Sequence, residues 1–153
     1  GLLVDKKVLF AESDFVSIHA RLTAESHHAI GADDFARMKP TSYFINTARA
    51  GLVDYHALYE VLAAHKIAGA ALDVFDEEPL AEGSPFRKLD NVTLTTHRAG
   101  ATLDAALNSP RLVFERIQGL IQNGKTSGFI NPEVLQNAAF TSWLQQAKTA
   151  LNL

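Results

Sequence analysis

The stretch YFINTARAGLVDYHALYEVLAAHKIAGAALDV, residues 43–74, decides the fold. It opens on a short apolar run, Tyr43-Phe44-Ile45-Asn46-Thr47, that ends in polar residues. Asp54 is a good N-cap for a helix over 55–64, where Ala57, Leu58, Val61 and Leu62 recur at helical spacing. The stretch closes on a second apolar run, Ala70-Ala71-Leu72-Asp73-Val74. Strand, helix and strand in that order make a βαβ unit.

The same alternation continues outward. Asp14-Phe15-Val16-Ser17-Ile18-His19 reads as a strand before this unit, and Val92-Thr93-Leu94-Thr95 as one after it. Each run is brief and apolar or β-branched, as expected of a parallel sheet buried on both faces. Asp5 can cap a short helix carrying Val8, Leu9 and Phe10. Thr102 or Asp104 opens the longest helix, which runs to about Ile121. In it Leu112, Val113, Ile117 and Leu120 form an apolar face opposite Glu115 and Arg116. Pro110 lies inside, which predicts a kink or a late start. Trp143, Leu144, Ala147 and Leu151 again have helical spacing.

Composition narrows the function. The 153 residues are 47% hydrophobic and 20% charged, with a net charge of -3, which suits a folded domain and not a disordered chain. No apolar run has the length of a membrane span. There is no cysteine, so disulfides, thiolate zinc sites and thiol nucleophiles drop out, in keeping with a reducing cytoplasmic setting. The absence of a basic block argues against a nucleic-acid partner. The chain opens on Gly1 and its one methionine is Met38. Either an initiator has been removed or the chain is a piece of something longer.

Ligands of such sheets bind beyond the carboxyl ends of the strands. Four polar clusters stand there: His19 with Arg21 and Thr23; Asn46-Thr47-Ala48-Arg49; Asp73 followed by Asp76-Glu77-Glu78-Pro79; and His97-Arg98-Ala99-Gly100. A histidine exchanges protons near neutrality, a carboxylate beside it stabilises the imidazolium, and an arginine fork matches a substrate carboxylate. Taken singly, a strand-end histidine is more often structural than catalytic, and a loop arginine or glutamate is usually a solvated charge. Spacing alone leaves both readings open. His27 and His28 are adjacent, and neighbours on a helix or strand point in different directions, so they read as surface histidines and no metal is expected.

The literal strings add a resemblance. Ser13-Asp14-Phe15-Val16-Ser17-Ile18-His19 with Leu22-Thr23, then Met38-Lys39-Pro40 and Phe44-Ile45-Asn46-Thr47-Ala48-Arg49-Ala50-Gly51-Leu52-Val53-Asp54, resemble blocks of the D-isomer-specific 2-hydroxyacid dehydrogenases. Ile67-Ala68-Gly69-Ala70-Ala71-Leu72-Asp73-Val74-Phe75 with Glu78-Pro79-Leu80 is similar to that family's glutamate block. His97 with Ala99-Gly100-Ala101-Thr102 resembles its histidine block, and Asn131-Pro132-Glu133-Val134 its closing string. The blocks come in family order over most of residues 5–135.

This resemblance implies hydride transfer between NAD(H), or NADP(H), and C2 of a small 2-hydroxy or 2-oxo acid. Arg49 would hold the substrate carboxylate and carbonyl, and His97 would exchange a proton with the carbonyl oxygen. Glu78, which precedes Pro79 as the family's glutamate precedes its proline, would pair with His97 and favour its protonated form. Asp73 would lie near the nicotinamide carboxamide. Thr47, Ala48, Ala99 and Gly100 would line the nicotinamide side, and His19 and Arg21 the adenosine ribose and pyrophosphate side. The implied fold is α/β, the C-terminal half of a Rossmann-like doubly wound parallel sheet with a C-terminal helix and tail. Residues 1–103 would complete the NAD-binding domain, 104–126 form a connecting helix, and 127–153 a tail returning to a substrate domain. The family assembles as homo-oligomers.

Some residues depart from the pattern. No two glycines are separated by one residue, so the phosphate-cradling G-x-G-x-x-G does not occur. Family members are about twice as long, so the chain reads as the C-terminal half of an enzyme, carrying the catalytic residues and half of the cofactor cradle, and inactive by itself. Arg21 stands where proline is common, Ala50 where glycine is, and Thr96 where proline is. His65 falls where the family often ends a helix with glycine, so a left-handed backbone is expected there. Two further readings stay open: a non-enzymatic, nucleotide-sensing relative of the C-terminal-binding-protein corepressors, and an inactive truncation.

Overall fold

The computed structural model describes residues 1–150; Leu151 of the last apolar stripe lies outside the described residues. The chain divides into two compact units, Gly1–Gly100 and the residues from Ala101 onward.

The first unit holds one sheet of four strands: β1 (Phe15–Ile18), β2 (Tyr43–Asn46), β3 (Gly69–Leu72) and β4 (Val92–Leu94). They lie side by side in chain order, and every pairing is parallel. Register puts Val16, Phe44, Ala70 and Val92 in one row and Ile18, Asn46, Leu72 and Leu94 in the next. Because the strands are parallel and in step, the segments after Ile18, Asn46, Leu72 and Leu94 all leave from one edge. The fold is Rossmann-like, and that edge is where its polar clusters gather.

Helices α1 (Lys6–Glu12), α2 (Ala32–Phe35) and α3 (Tyr55–Ala63) form a single layer, α1 beside α2 and α2 beside α3. The Asp5 carboxylate accepts the Lys7 N–H at 2.8 Å, and that of Asp54 accepts the Ala57 N–H at 3.0 Å, as N-caps do. Lys6 reaches Asp34 at 2.9 Å and so ties α1 to α2. Phe10, Phe35, Leu58 and Leu62 bury against Val16, Phe44 and Leu72, each worth about 2–3 kcal/mol of apolar burial. At the end of α3 His65 has φ 49°, its N–H bonds Leu62 and the Lys66 N–H bonds Val61, which is a Schellman closure. The connection to β4 carries a 3-10 turn, Pro85–Lys88, whose Phe86 meets Tyr55 and Tyr59 edge-on.

Within the first unit the α1–α3 layer covers one face of the sheet, where the sequence suggests cover on both. Phe15 and Tyr43 stack on each other on the other face, 66% and 44% exposed. Within this unit the helix layer lies on one side of the sheet, and β1 alternates exposed and buried positions as a one-sided strand does.

Gly69→Ala is expected to destabilise this unit by about 2 kcal/mol. A Cβ on Gly69 would stand 2.4 Å from the Asn91 carbonyl oxygen. That oxygen accepts the Ala70 N–H at 3.0 Å and cannot withdraw without opening the β3–β4 ladder. Urea denaturation followed by circular dichroism measures the loss, and an unchanged midpoint would mean that the strands part freely.

The second unit begins with α4 (Leu103–Asn123), whose Thr102 hydroxyl accepts the Ala105 N–H at 3.0 Å. Pro110 therefore does not delay the helix, contrary to the late start considered from sequence. The Ala106 carbonyl loses one helical donor, a loss that solvent makes good on an exposed helix. Gly124, at φ 65°, ends α4. Leu120 and Ile121 pack with Leu144 of α5 (Ala138–Ala150), flanked by Phe129, Leu135 and Phe140. Among the described residues no helix is long and apolar enough to cross a membrane.

Candidate active site

Asp73, the first residue past β3, is buried, and its carboxylate organises the segment that follows β4. Oδ1 accepts the Thr95 hydroxyl at 2.5 Å and the Arg98 N–H at 2.8 Å, and Oδ2 accepts the Ala99 N–H at 2.8 Å. Burial alone pushes this carboxyl up, and is the largest single influence. The Thr95, Ala99 and Arg98 donors together outweigh it and hold the group below its ordinary value. Anchored on both sides, the chain turns through His97 with φ 55°, a left-handed conformation that costs a non-glycine residue about 1 kcal/mol.

Glu78 meets His97 from the loop after β3. Its Oε1 accepts the Phe75 N–H at 2.9 Å, and its Oε2 lies 2.7 Å from His97 Nδ1. The His97 hydrogen bond first, and the Phe75 N–H second, hold the Glu78 carboxyl below the usual range. A carboxylate on Nδ1 selects the Nδ1–H form of the ring and leaves Nε2 to gain or lose the proton. Nε2 has no hydrogen-bond partner among the described residues. The pair borders a cavity of about 360 Å³ walled by Phe75, Pro79, Leu80, Leu94 and Thr96.

The ends of β1 and β2 form a second cleft of about 380 Å³, lined by His19, Arg21, Thr47, Ala48 and Arg49. Asn46, fully buried at the end of β2, shapes it: Oδ1 accepts the Ala48 N–H at 3.0 Å and Nδ2 donates to the Arg49 carbonyl at 3.1 Å. The Ser26 hydroxyl donates to the Arg21 carbonyl at 2.8 Å and accepts the Thr23 N–H, which fixes the β1 loop. His19 Nε2 lies 2.8 Å from the Ser17 hydroxyl. Neither Arg21 nor Arg49 has a carboxylate partner among the described residues. Two uncompensated guanidinium groups in one cleft suit an anionic ligand such as a dinucleotide. The glycine loop that would cradle its pyrophosphate has no counterpart in the sequence.

The structure thus brings Glu78 to His97, and gathers His19, Arg21, Thr47, Ala48 and Arg49. It makes no hydrogen bond from Arg49 to Glu78 or His97 among the described residues; the two groups occupy neighbouring places on one edge. Asp73 and Ala99 meet through a hydrogen bond, and Gly100 is exposed just beyond. Asn46 and Thr95 were placed at strand ends from sequence but given no part in the site, and Tyr55 was not singled out at all. Asn46 carried a signal: it sits two residues after Phe44 on the covered face, and a buried amide must be hydrogen-bonded. His27 and His28 are exposed, as surface histidines are, but they do not point apart as neighbours on a helix or strand would. They lie in a turn, and φ 50° at His28 folds its ring onto that of His27, with centroids 4.0 Å apart. No group of three potential metal ligands occurs among the described residues.

The family profile described as "D-isomer specific 2-hydroxyacid dehydrogenase, NAD binding domain" matches residues 2–99. A glyoxylate reductase of Thermofilum pendens is 42% identical over 132 residues, which span 86% of this chain and 39% of that protein. Among solved structures, the holo form of Rhodotorula graminis D-mandelate dehydrogenase superposes with a TM-score of 0.73 at 33% identity, covering 80% of this chain and 35% of that one. The NAD-complexed D-isomer-specific 2-hydroxyacid dehydrogenase of Lactobacillus delbrueckii ssp. bulgaricus gives a TM-score of 0.72 at 29% identity, covering 80% of this chain and 41% of that one. The chain spans well under half the length of each of these proteins.

Proposed function

Because this chain belongs to the D-isomer-specific 2-hydroxyacid dehydrogenases, we propose that it supplies the acid–base and nicotinamide-side half of an NAD(P)-dependent enzyme that interconverts 2-hydroxy and 2-oxo acids. The observation that carries this reading is the His97 Nδ1 to Glu78 Oε2 contact of 2.7 Å at the carboxyl edge of the sheet. His97 gives its Nε2 proton to the substrate carbonyl oxygen in reduction and takes it back in oxidation. Glu78 stabilises the imidazolium and keeps the ring oriented. Arg49 grips the substrate carboxylate. Asp73 holds the 95–99 segment, and its Oδ2, which accepts one N–H, keeps a lone pair for the nicotinamide carboxamide. Thr47, Ala48, Ala99 and Gly100 face the nicotinamide, and His19 and Arg21 the ribose and pyrophosphate. The nicotinamide, when bound, supplies or accepts the hydride.

In domain terms, residues 1–103 belong to the NAD-binding domain, 104–126 form the connection built on α4, and 127–153 the tail. The enzyme works in the cytoplasm as a homo-oligomer, and small hydroxy and oxo acids are its partners.

A chimera that joins this chain to the glycine-loop portion of a relative tests the reading. It is expected to oxidise NADH or NADPH when glyoxylate, hydroxypyruvate or a larger 2-oxo acid is added. Arg49→Ala should lower kcat/KM by at least about tenfold, the scale of one lost charge-assisted hydrogen bond. A folded chimera that binds cofactor and reduces none of these acids would refute the proposal.

A further inference from the structure

We propose that Tyr55 is a positioning residue: its hydroxyl joins the Arg49 turn to the Glu78–His97 loop and sets the two halves of the site at a fixed spacing. The inference rests on the roles proposed above. Tyr55 opens α3, beneath the edge where both loops leave the sheet. Its hydroxyl donates to the Val74 carbonyl at 2.5 Å and accepts from Asn46 Nδ2 at 3.4 Å. The same Asn46 amide donates its other proton to the Arg49 carbonyl. On the far side, Val74 lies between Asp73, which anchors residues 95–99, and Phe75, whose N–H holds Glu78. One oxygen atom therefore touches both halves.

The side-chain donors along this path are all used. An amide group has two donors, and Asn46 directs one to Arg49 and one to Tyr55. The Tyr55 hydroxyl has one proton, and Val74 takes it. Burial, the main influence on this phenol, pushes its ionisation well above the ordinary range, so the hydroxyl stays a neutral donor throughout the working pH. The ring itself packs edge-on against Phe75 and Phe86. A phenylalanine would keep that packing and lose only the link, which separates positioning from support of the fold.

The test is Tyr55→Phe in the full 153-residue chain, read by NMR hydrogen exchange and by the titration of the Glu78 carboxyl carbon. The expected result is exchange about tenfold faster at the Ala48 and Phe75 amides, the scale of one lost hydrogen bond, with the mid-strand amides of Phe44 and Leu72 unchanged. The Glu78 carboxyl should also titrate closer to its ordinary value of 4.5. Unchanged Ala48, Phe75 and Glu78 signals, or faster exchange in all strands alike, would overturn the proposal. If Tyr55→Phe does not fold, Asn46→Ser replaces it and is read at Phe75, since Ala48 loses its own acceptor in that variant: selectively faster exchange at Phe75 is expected, and an unchanged Phe75 or uniform acceleration counts against the proposal. His97→Ala serves as the control. If it leaves the Glu78 titration unmoved, the acid–base pair itself is wrong; if it moves the titration and Tyr55→Phe does not, only the positioning role fails.

Discussion

Asp73→Ala is expected to destabilise the first unit by about 3 kcal/mol and to lower its melting temperature by about 15 °C. The substitution leaves three donors facing an apolar side chain: the Thr95 hydroxyl and the Arg98 and Ala99 N–H groups. Each had a charged acceptor at 2.8 Å or less, and water reaches the site poorly because Asp73 is buried. The sign of the pH dependence follows. The native carboxyl ionises below its ordinary value of 3.8, so its stabilisation is complete above that value. It disappears as acid carries the pH down through the native value. Wild type and Asp73→Ala should therefore differ most at neutral pH and converge on acidification below about 4. Differential scanning calorimetry at stepped pH measures both effects. A constant difference down to strong acid would show that the carboxylate is not the stabilising form.

In a cofactor-binding chimera, His97→Ala should reduce kcat by two to four orders of magnitude, roughly the scale for loss of a positioned proton donor. The effect should fall on kcat more than on KM, because in the proposed mechanism the histidine exchanges its proton during the reaction while Arg49 grips the substrate. Stopped-flow measurement of the NADH signal isolates the chemical step. Turnover within threefold or so of wild type would remove His97 from the mechanism, since a general acid contributes at least about a hundredfold.

The features legible in the sequence were those set by neighbours in the chain. Asp5, Asp54 and Thr102 stand directly before apolar periodicity, so three helix starts could be read from them. The strand ends could be read because short apolar runs break off at His19, Thr47, Asp73 and Thr95. Pairing Glu78 with His97 needed more than periodicity, since Glu77 is an equal carboxylate on spacing alone; the Pro79 that follows Glu78 decided it through the resemblance. The open face was hidden because Phe15 and Tyr43 have the side chains of core residues, and their exposure depends on what packs over them. Helix α2, at four residues, is too short to show a period. Tyr55 gave no sign, because its partners at Asn46 and Val74 are adjacent only after β2 and β3 have paired.

His65 and His97 share a left-handed backbone, with φ 49° and 55°, yet they give a protein engineer opposite advice. At the Schellman closure, glycine would relax the main chain and release about 1 kcal/mol without touching the chemistry. At the strand-end turn the same replacement would ease the same strain and delete the imidazole. A search for thermostable variants that scores melting temperature alone would thus be rewarded for discarding the proposed proton donor, and any such library needs position 97 held fixed.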